Sequence, residues 1–275
     1  MDFIEIEVFC EENFREIFMA ELSEIDFNTF METDSGFLAY IETDKFISGD
    51  LQNTFEKYSG IKVSYKVSHV KEKNWNEEWE KNYDPIIVED KCLIHATFHN
   101  LTKTYPYEVL INPRMSFGTG HHETTYLMCS HQLDVEHTGK QVLDIGCGTG
   151  ILAILASKRG AASVLAIDNN DWAYENAVDN VKLNLVSNVE VLAGSVNELK
   201  ITRQFDLILA NINRNVLLEE LPTYTQLLTK EGKILLSGFY KHDEEDITNL
   251  MDQLGFILLS ARNKNNWSAL LFTRK

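Results

Sequence analysis

Cysteine is scarce and scattered. Cys10, Cys92, Cys129 and Cys147 form no Cys-x-x-Cys pair. Neither a zinc site nor a disulfide framework is expected, and reduced structural thiols are. Four prolines and fourteen glycines in 275 residues exclude collagen-like and low-complexity chains. No run of about 18 apolar residues exists, so no membrane-crossing helix is expected. The start, Met1-Asp2-Phe3-Ile4-Glu5, has neither the basic nor the apolar stretch of a signal peptide, which points to the cytoplasm. What is present suits a folded chain. Apolar residues make up 44% and aromatics 11%, enough for a core. The length fits one large domain or two smaller ones.

Basic residues are also short, and unevenly so. The net charge is −17. Residues 1–60 hold fifteen Asp and Glu against Arg15, Lys45 and Lys57, a net of −12, which leaves −5 for the remaining 215 residues. Such a surface repels phosphate backbones, so direct nucleic-acid binding is disfavoured. It attracts a basic protein and speeds the encounter.

The first 70 residues read as β-α-β-β-α-β. Ile4, Ile6 and Val8 alternate with Glu5 and Glu7 in a half-buried strand. Phe14, Ile17, Phe18 and Leu22 follow at helical spacing, and strands at 27–32 and 36–42 flank a turn. Asp44 is suited to cap a helix carrying Ile47, Leu51, Phe55 and Tyr58, ending at Gly60. Ile61, Val63, Tyr65 and Val67 alternate as a fourth strand. This order is the ferredoxin-like split motif, which has no chemistry of its own and reads as a recognition module. Residues 71–85 hold Trp75 and Trp79 in a short linker helix that Asp84-Pro85 ends. From Lys140 onward strands and helices alternate, which implies a parallel sheet covered on both faces, closed by an antiparallel pair at 256–262 and 268–273.

Three strand ends in that region carry chemistry. Val142-Leu143-Asp144-Ile145-Gly146-Cys147-Gly148-Thr149-Gly150 runs a strand into a glycine turn and then a helix. Such a turn lets a ligand approach the backbone at a helix N-terminus. Its Gly-x-Gly-x-Gly spacing is one residue shorter than the dinucleotide fingerprint, which disfavours a nicotinamide oxidoreductase. Asp144 before the glycines suits a ligand with a cationic group, such as an amino-acid ammonium. Asp168 ends the next strand, 22 residues after Gly146. There a carboxylate accepts from both ribose hydroxyls; the plainer alternative is a helix cap. Asn211, in Leu209-Ala210-Asn211-Ile212-Asn213, ends a further strand and can offer its carbonyl oxygen to an amine. Asn213 is suited to capping alone.

Together these segments resemble the class I S-adenosylmethionine-dependent methyltransferases. Upstream, Asn112-Pro113-Arg114-Met115-Ser116-Phe117-Gly118-Thr119-Gly120-His121-His122-Glu123-Thr124-Thr125 resembles the Phe-Gly-Thr-Gly-x-His-x-Thr-Thr signature of the ribosomal protein methyltransferase family, the PrmA type. Those enzymes methylate the large-subunit ribosomal protein numbered eleven. Arg114, Ser116 and Asn213 depart from that family's pattern.

The resemblance implies a doubly wound, Rossmann-like class I methyltransferase domain over 86–275. It adds a linker helix over 71–85 and a small α+β ferredoxin-like substrate-recognition domain over 1–70. It implies S-adenosyl-L-methionine as cofactor, held by Thr125, Gly146, Gly148, Asp144, Asp168 and Asn211, with Phe117, Gly118 and Thr119 lining the site. It makes Asn211 the catalytic residue and a basic ribosomal protein the partner. The reaction it implies is methylation of lysine side chains or an N-terminal amine. Another protein, an RNA or a small molecule as substrate, or a non-catalytic cofactor-binding protein, are the competing readings. His121-His122-Glu123 lacks the helical i, i+4 spacing of metal ligands and His95-x-x-x-His99 lies in a strand-like stretch, so no metal is expected.

Overall fold

Alternation in the first strand organises the N-terminal unit. The computed structural model describes residues 3–33, 35–58, 60–70, 84–99, 102–112 and 122–275, and it divides into units Met1–Asn82 and Tyr83–Lys275. In the first unit β1 (Phe3–Phe9), α1 (Arg15–Ser23), β2 (Thr29–Thr33), β3 (Gly36–Glu42), α2 (Ser48–Glu56) and β4 (Ser64–Val70) follow in turn. Their sheet has the order β2-β3-β1-β4, and every pair is antiparallel. Ile4, Ile6 and Val8 are buried against Phe18 and Leu22 of α1 and Leu51 and Phe55 of α2.

Two local expectations fail. The N-cap of α2 is Ile47, without a side-chain cap. Asp44 is instead held in a tight turn in which Lys45 N–H donates to Glu42 O. Strand β4 starts at Ser64 because Ile61 N–H donates to Tyr58 O in the turn that follows α2. The expected linker helix lies outside the described residues up to position 83.

The second unit opens with β5 (Ile86–Val88), β6 (Cys92–Ala96) and β7 (Tyr107–Ile111) in a three-stranded sheet of that order. Helix α3 (Glu123–Asp134) follows, which hydrophobic periodicity did not reveal. Then come β8 (Gln141–Ile145), α4 (Ile151–Lys158), β9 (Ser163–Asp168), α5 (Asp171–Leu183), β10 (Val189–Ala193), β11 (Phe205–Asn211) and α6 (Arg214–Gln226). The chain closes with β12 (Leu228–Tyr240), α7 (Glu244–Gln253), β13 (Phe256–Lys264) and β14 (Trp267–Arg274). The seven-stranded sheet has the order β10-β9-β8-β11-β12-β14-β13, parallel except for β14, which is antiparallel to both its neighbours.

One face packs a core including Val142, Ile154 and Leu207, the other a core including Leu143, Ile208 and Leu236. The strand order reverses between β8 and β11, and ligands of open α/β sheets bind beyond the carboxyl ends of the strands at such a point.

Two asparagines of α5 and its C-cap Asn184, spaced four residues apart, join this sheet's helix layer to the smaller sheet. Asn184 accepts from Leu110 N–H and donates to Leu110 O. Asn180 accepts from Asn112 N–H, and Asn176 donates to Asn112 O. Asn180 also donates to Thr149 O in the glycine turn at 2.9 Å.

Candidate active site

The end of β8 is fixed from two sides. Gly146 and Cys147 N–H both donate to Ile167 O, at 2.9 and 3.0 Å, which ties the glycine turn to β9. Ile212, just past β11, lies between two glycines. A Cβ at Gly146 (φ +68) would stand 2.4 Å from Ile212 Cγ2, and one at Gly238 (φ +97) would stand 2.1 Å from Ile212 O. Any side chain at either position would displace the Asn211 loop.

Asp168 faces the same turn. Its Oδ2 accepts from Gly148 N–H at 2.9 Å and its Oδ1 from Asn170 N–H at 3.0 Å. Asn170 caps α5, accepting from Trp172 and Ala173 N–H, so capping is not the task of Asp168. Each Asp168 oxygen keeps a lone pair for a ligand hydroxyl.

Asp144 is placed differently from the expectation. It is fully buried and does not line the cavity. Its Oδ2 accepts from Ala153 N–H at 3.0 Å, and its Oδ1 has no hydrogen-bond partner. Burial, and secondarily the charge of Asp168, push its carboxyl up to about 7, while the Ala153 hydrogen bond pulls the other way. Asp144 therefore supports the turn from below; it does not reach a ligand's ammonium.

A cavity of about 730 Å³ opens above the turn, within the size range of small-molecule sites. Thr125, Gly146, Gly148, Asp168 and Asn211 line it together. Phe117, Gly118, Thr119 and His121 lie outside the described residues. Asn211 is half-buried, and its side-chain amide makes no hydrogen bond among the described residues. Asn213 caps α6 through Val216 N–H.

Sequence reasoning missed Trp172 and Trp267, which also line the cavity. Trp172 is 77% exposed. His122, also in the lining, caps α3, with Nδ1 accepting from Thr124 N–H and from its hydroxyl. No local motif marks Trp267, because strand pairing brings it there. Away from the cavity, His95 pairs with Glu108, and His99 accepts from Ala96 N–H.

The residues fit S-adenosylmethionine. Gly146 and Gly148 line the cavity without side chains of their own, so a ligand can lie against the backbone, and a carboxylate stands at the ribose position one strand along.

Comparison with known proteins agrees with this geometry. The family model described as ribosomal protein L11 methyltransferase (PrmA) matches residues 3–275. The ribosomal protein L11 methyltransferase of Phocaeicola vulgatus is 45% identical over 269 residues, covering 97% of this chain and 96% of the relative. That of Porphyromonas gingivalis is 45% identical over 261 residues, covering 94% and 90%. The crystal structure of ribosomal protein L11 methylase from Lactobacillus delbrueckii subsp. bulgaricus superposes with a TM-score of 0.64 at 26% identity, covering 70% of this chain and 98% of that one.

Proposed function

The chain belongs to the ribosomal protein L11 methyltransferase family, and on that premise we propose that it methylates amino groups of ribosomal protein L11 in the cytoplasm. It is an S-adenosylmethionine-dependent methyltransferase. We take lysine side chains and the N-terminal amine as the acceptors. The observation that carries this reading is Asn211, whose uncommitted amide shares one cavity with Asp168 and the glycine turn.

When bound, S-adenosylmethionine supplies a methyl group already activated on a cationic sulfur. Asp168 holds the ribose hydroxyls, and Gly146 and Gly148 let the amino-acid part lie against the turn. The acceptor must present a neutral amine, and a lysine near 10.4 must first lose its proton. Desolvation in the cavity lowers that value, and water takes the proton. Asn211 accepts an amine N–H through its carbonyl and so aims the nitrogen lone pair. Positioning of this kind supplies much of the rate when the electrophile is already activated.

We assign substrate recognition to the N-terminal unit, over residues 1–70. Its acidity supports this. All three bases of the first sixty residues are already paired, Arg15 with Glu32, Lys45 with Glu42 and Lys57 with Glu21. The net charge of −12 over residues 1–60 draws in a cationic protein. The same field disfavours nucleic acid as a direct partner.

Transfer of labelled methyl into a ribosomal-protein extract tests the reading, with Asp168→Ala and Asn211→Ala beside the wild type. One small basic protein labelled by the wild type is expected. Asp168→Ala loses cofactor binding by calorimetry. Asn211→Ala loses transfer on the order of a hundredfold, well beyond its loss of cofactor affinity. Label in RNA alone, or no label while cofactor still binds, would overturn it.

A further inference from the structure

The register between β11 and β12 ends at Asn211 opposite Ser237. Past that pair both chains run along the cavity, which Ile212, Asn213 and Gly238 line. β12 shifts register against β14 between Ser237 and Phe239, and Gly238 takes a left-handed conformation there (φ +97). The β11–β12 ladder therefore no longer fixes Ile212 and Asn213.

Arg214 bridges the two chains just beyond. It is the first residue of α6, directly after the Asn213 cap. Its Nε lies 3.1 Å from Asp243 Oδ1, and its Nη2 donates to Asp246. Asp243 is anchored in turn, because its Oδ2 accepts from Tyr240 N–H, at the end of β12, at 3.0 Å. One arginine thus ties the segment after β11 to the segment after β12.

The place of this arginine opposes its own helix. A helix N-terminus carries partial positive charge, which favours an acid in the first turn and disfavours a cation. The first turn of α6 holds Arg214 and no acid. Partly exposed ion pairs add little stability, and the Asp246 side chain is 53% exposed. What the bridge does supply is a fixed separation between two strand ends at the cavity.

We propose that Arg214 is a positioning residue for methyl transfer: through Asp243 and Asp246 it restrains the loop after β11 and so holds Asn211 on the acceptor amine. This rests on the reading of Asn211 as the group that aims that amine. Asn211 stands three residues before Arg214. The Asn211 amide has no hydrogen bond of its own among the described residues, so the backbone beneath sets its direction. Gly146 and Gly238 confine Ile212 from two sides by close approach, and Arg214 restrains the chain where it leaves. Rate falls steeply when an aimed group is misplaced by a fraction of an ångström.

The test uses the full-length protein, S-adenosylmethionine and purified ribosomal protein L11. Single-turnover transfer is followed with both saturating, beside affinity for S-adenosylhomocysteine by calorimetry. Arg214→Met keeps the stem and removes the charge. Transfer should slow about tenfold, with cofactor affinity held within about twofold. Arg214→Lys still reaches one carboxylate and should recover most of the rate. Asp246→Asn breaks one pair at an exposed position and should slow transfer about threefold. In an Asn211→Ala background Arg214→Met should cost less than about twofold, because nothing is left to aim.

A full tenfold loss in that background, or unchanged transfer in Arg214→Met alone, overturns the positioning role. Cofactor affinity that falls in step with the rate overturns it too. If Asn211→Ala transfers as fast as the wild type, the reading of Asn211 falls and takes the role with it. If Asn211→Ala is slow and Arg214→Met adds in full, that reading survives and only the positioning role is lost. Should Arg214→Met not fold, Asp246→Asn decides by the same pair of measurements, and normal transfer by it overturns the role.

Discussion

Replacing Asp144 by Asn should change how stability depends on pH, by an amount that can be worked out. The carboxyl is fully buried, with one oxygen on Ala153 N–H and the other unpaired. Burial first, then repulsion by Asp168, raise it from an ordinary 3.8 to about 7. The folded protein thus keeps a proton that the unfolded chain releases. Between about pH 4 and 7 the folded state binds more protons, so stability falls as pH rises. The contribution is complete below pH 4 and lost above pH 7. At ~1.36 kcal/mol per pH unit the whole fall is roughly 4 kcal/mol, more than half of it between pH 5 and 8.

Asparagine does not titrate. Its amide meets no acceptor, which costs ~1–3 kcal/mol, but equally at every pH. A single pH scan would mislead, because burial lowers His131 and His137 to about 4 and both proteins lose stability as pH falls toward that value. That loss cancels in the difference between wild type and variant. Urea unfolding at pH 5, 6, 7 and 8, read by hydrogen exchange of β8 amides, reports the C-terminal unit alone. Asp144→Asn should gain roughly 2–3 kcal/mol on the wild type from pH 5 to 8. A difference flat to within ~0.5 kcal/mol would show that the buried carboxyl titrates normally, and the reasoning would fail.

Two further perturbations probe the site and the charged unit. Gly238→Ala places a Cβ 2.1 Å from Ile212 O at φ +97. It should cost roughly 2–5 kcal/mol in thermal unfolding and depress transfer through the displaced Asn211 loop, and unchanged values of both would refute the role given to the Gly238–Ile212 contact. Changing Glu11, Glu12 and Glu16 to Gln should slow association with the basic substrate in stopped-flow at low salt and leave cofactor affinity alone. The difference should fade toward 1 M salt, where the screening length is ~3 Å, and insensitivity to both charge and salt would remove the steering role.

The parallel sheet and its glycine turn were legible because their signals are local. A strand, a turn and a helix stand consecutively in the chain, and Asp168 falls at the next strand end. Helix α3 was hidden for a physical reason. Thr124, Thr125, Ser130, His131 and Gln132 are buried along with Leu127, Met128 and Leu133, so no polar face exists to give a period. Distant partners serve that helix, since His131 meets Ala269 O and Ser130 meets Glu89. Trp267 was unreadable for the same kind of reason, because only its pairing with Tyr240 brings it to the cavity. For Asp144 the sequence gives an acid at a strand end but not its depth, and depth decides between contact and support. In the N-terminal unit the order of elements was plain, while the cap of α2 was misplaced because Asp44 lies in a turn that a helix start resembles in composition.

The amides of α5 do more than join two layers. Strand β7 is an edge of the three-stranded sheet, and an edge normally presents unpaired N–H and C=O groups on which another chain can grow. Here the outward groups of Leu110 and Asn112 are taken by Asn176, Asn180 and Asn184. A primary amide carries the same donor and acceptor as a peptide unit. Four residues of helix rise ~6 Å and two residues of strand ~6.6 Å, so the side chains stand nearly in step with a missing strand. The helix thus imitates a neighbouring strand from the side and occupies this border at Leu110 and Asn112. At these two positions the cover that an edge needs comes from three side chains, without an added strand.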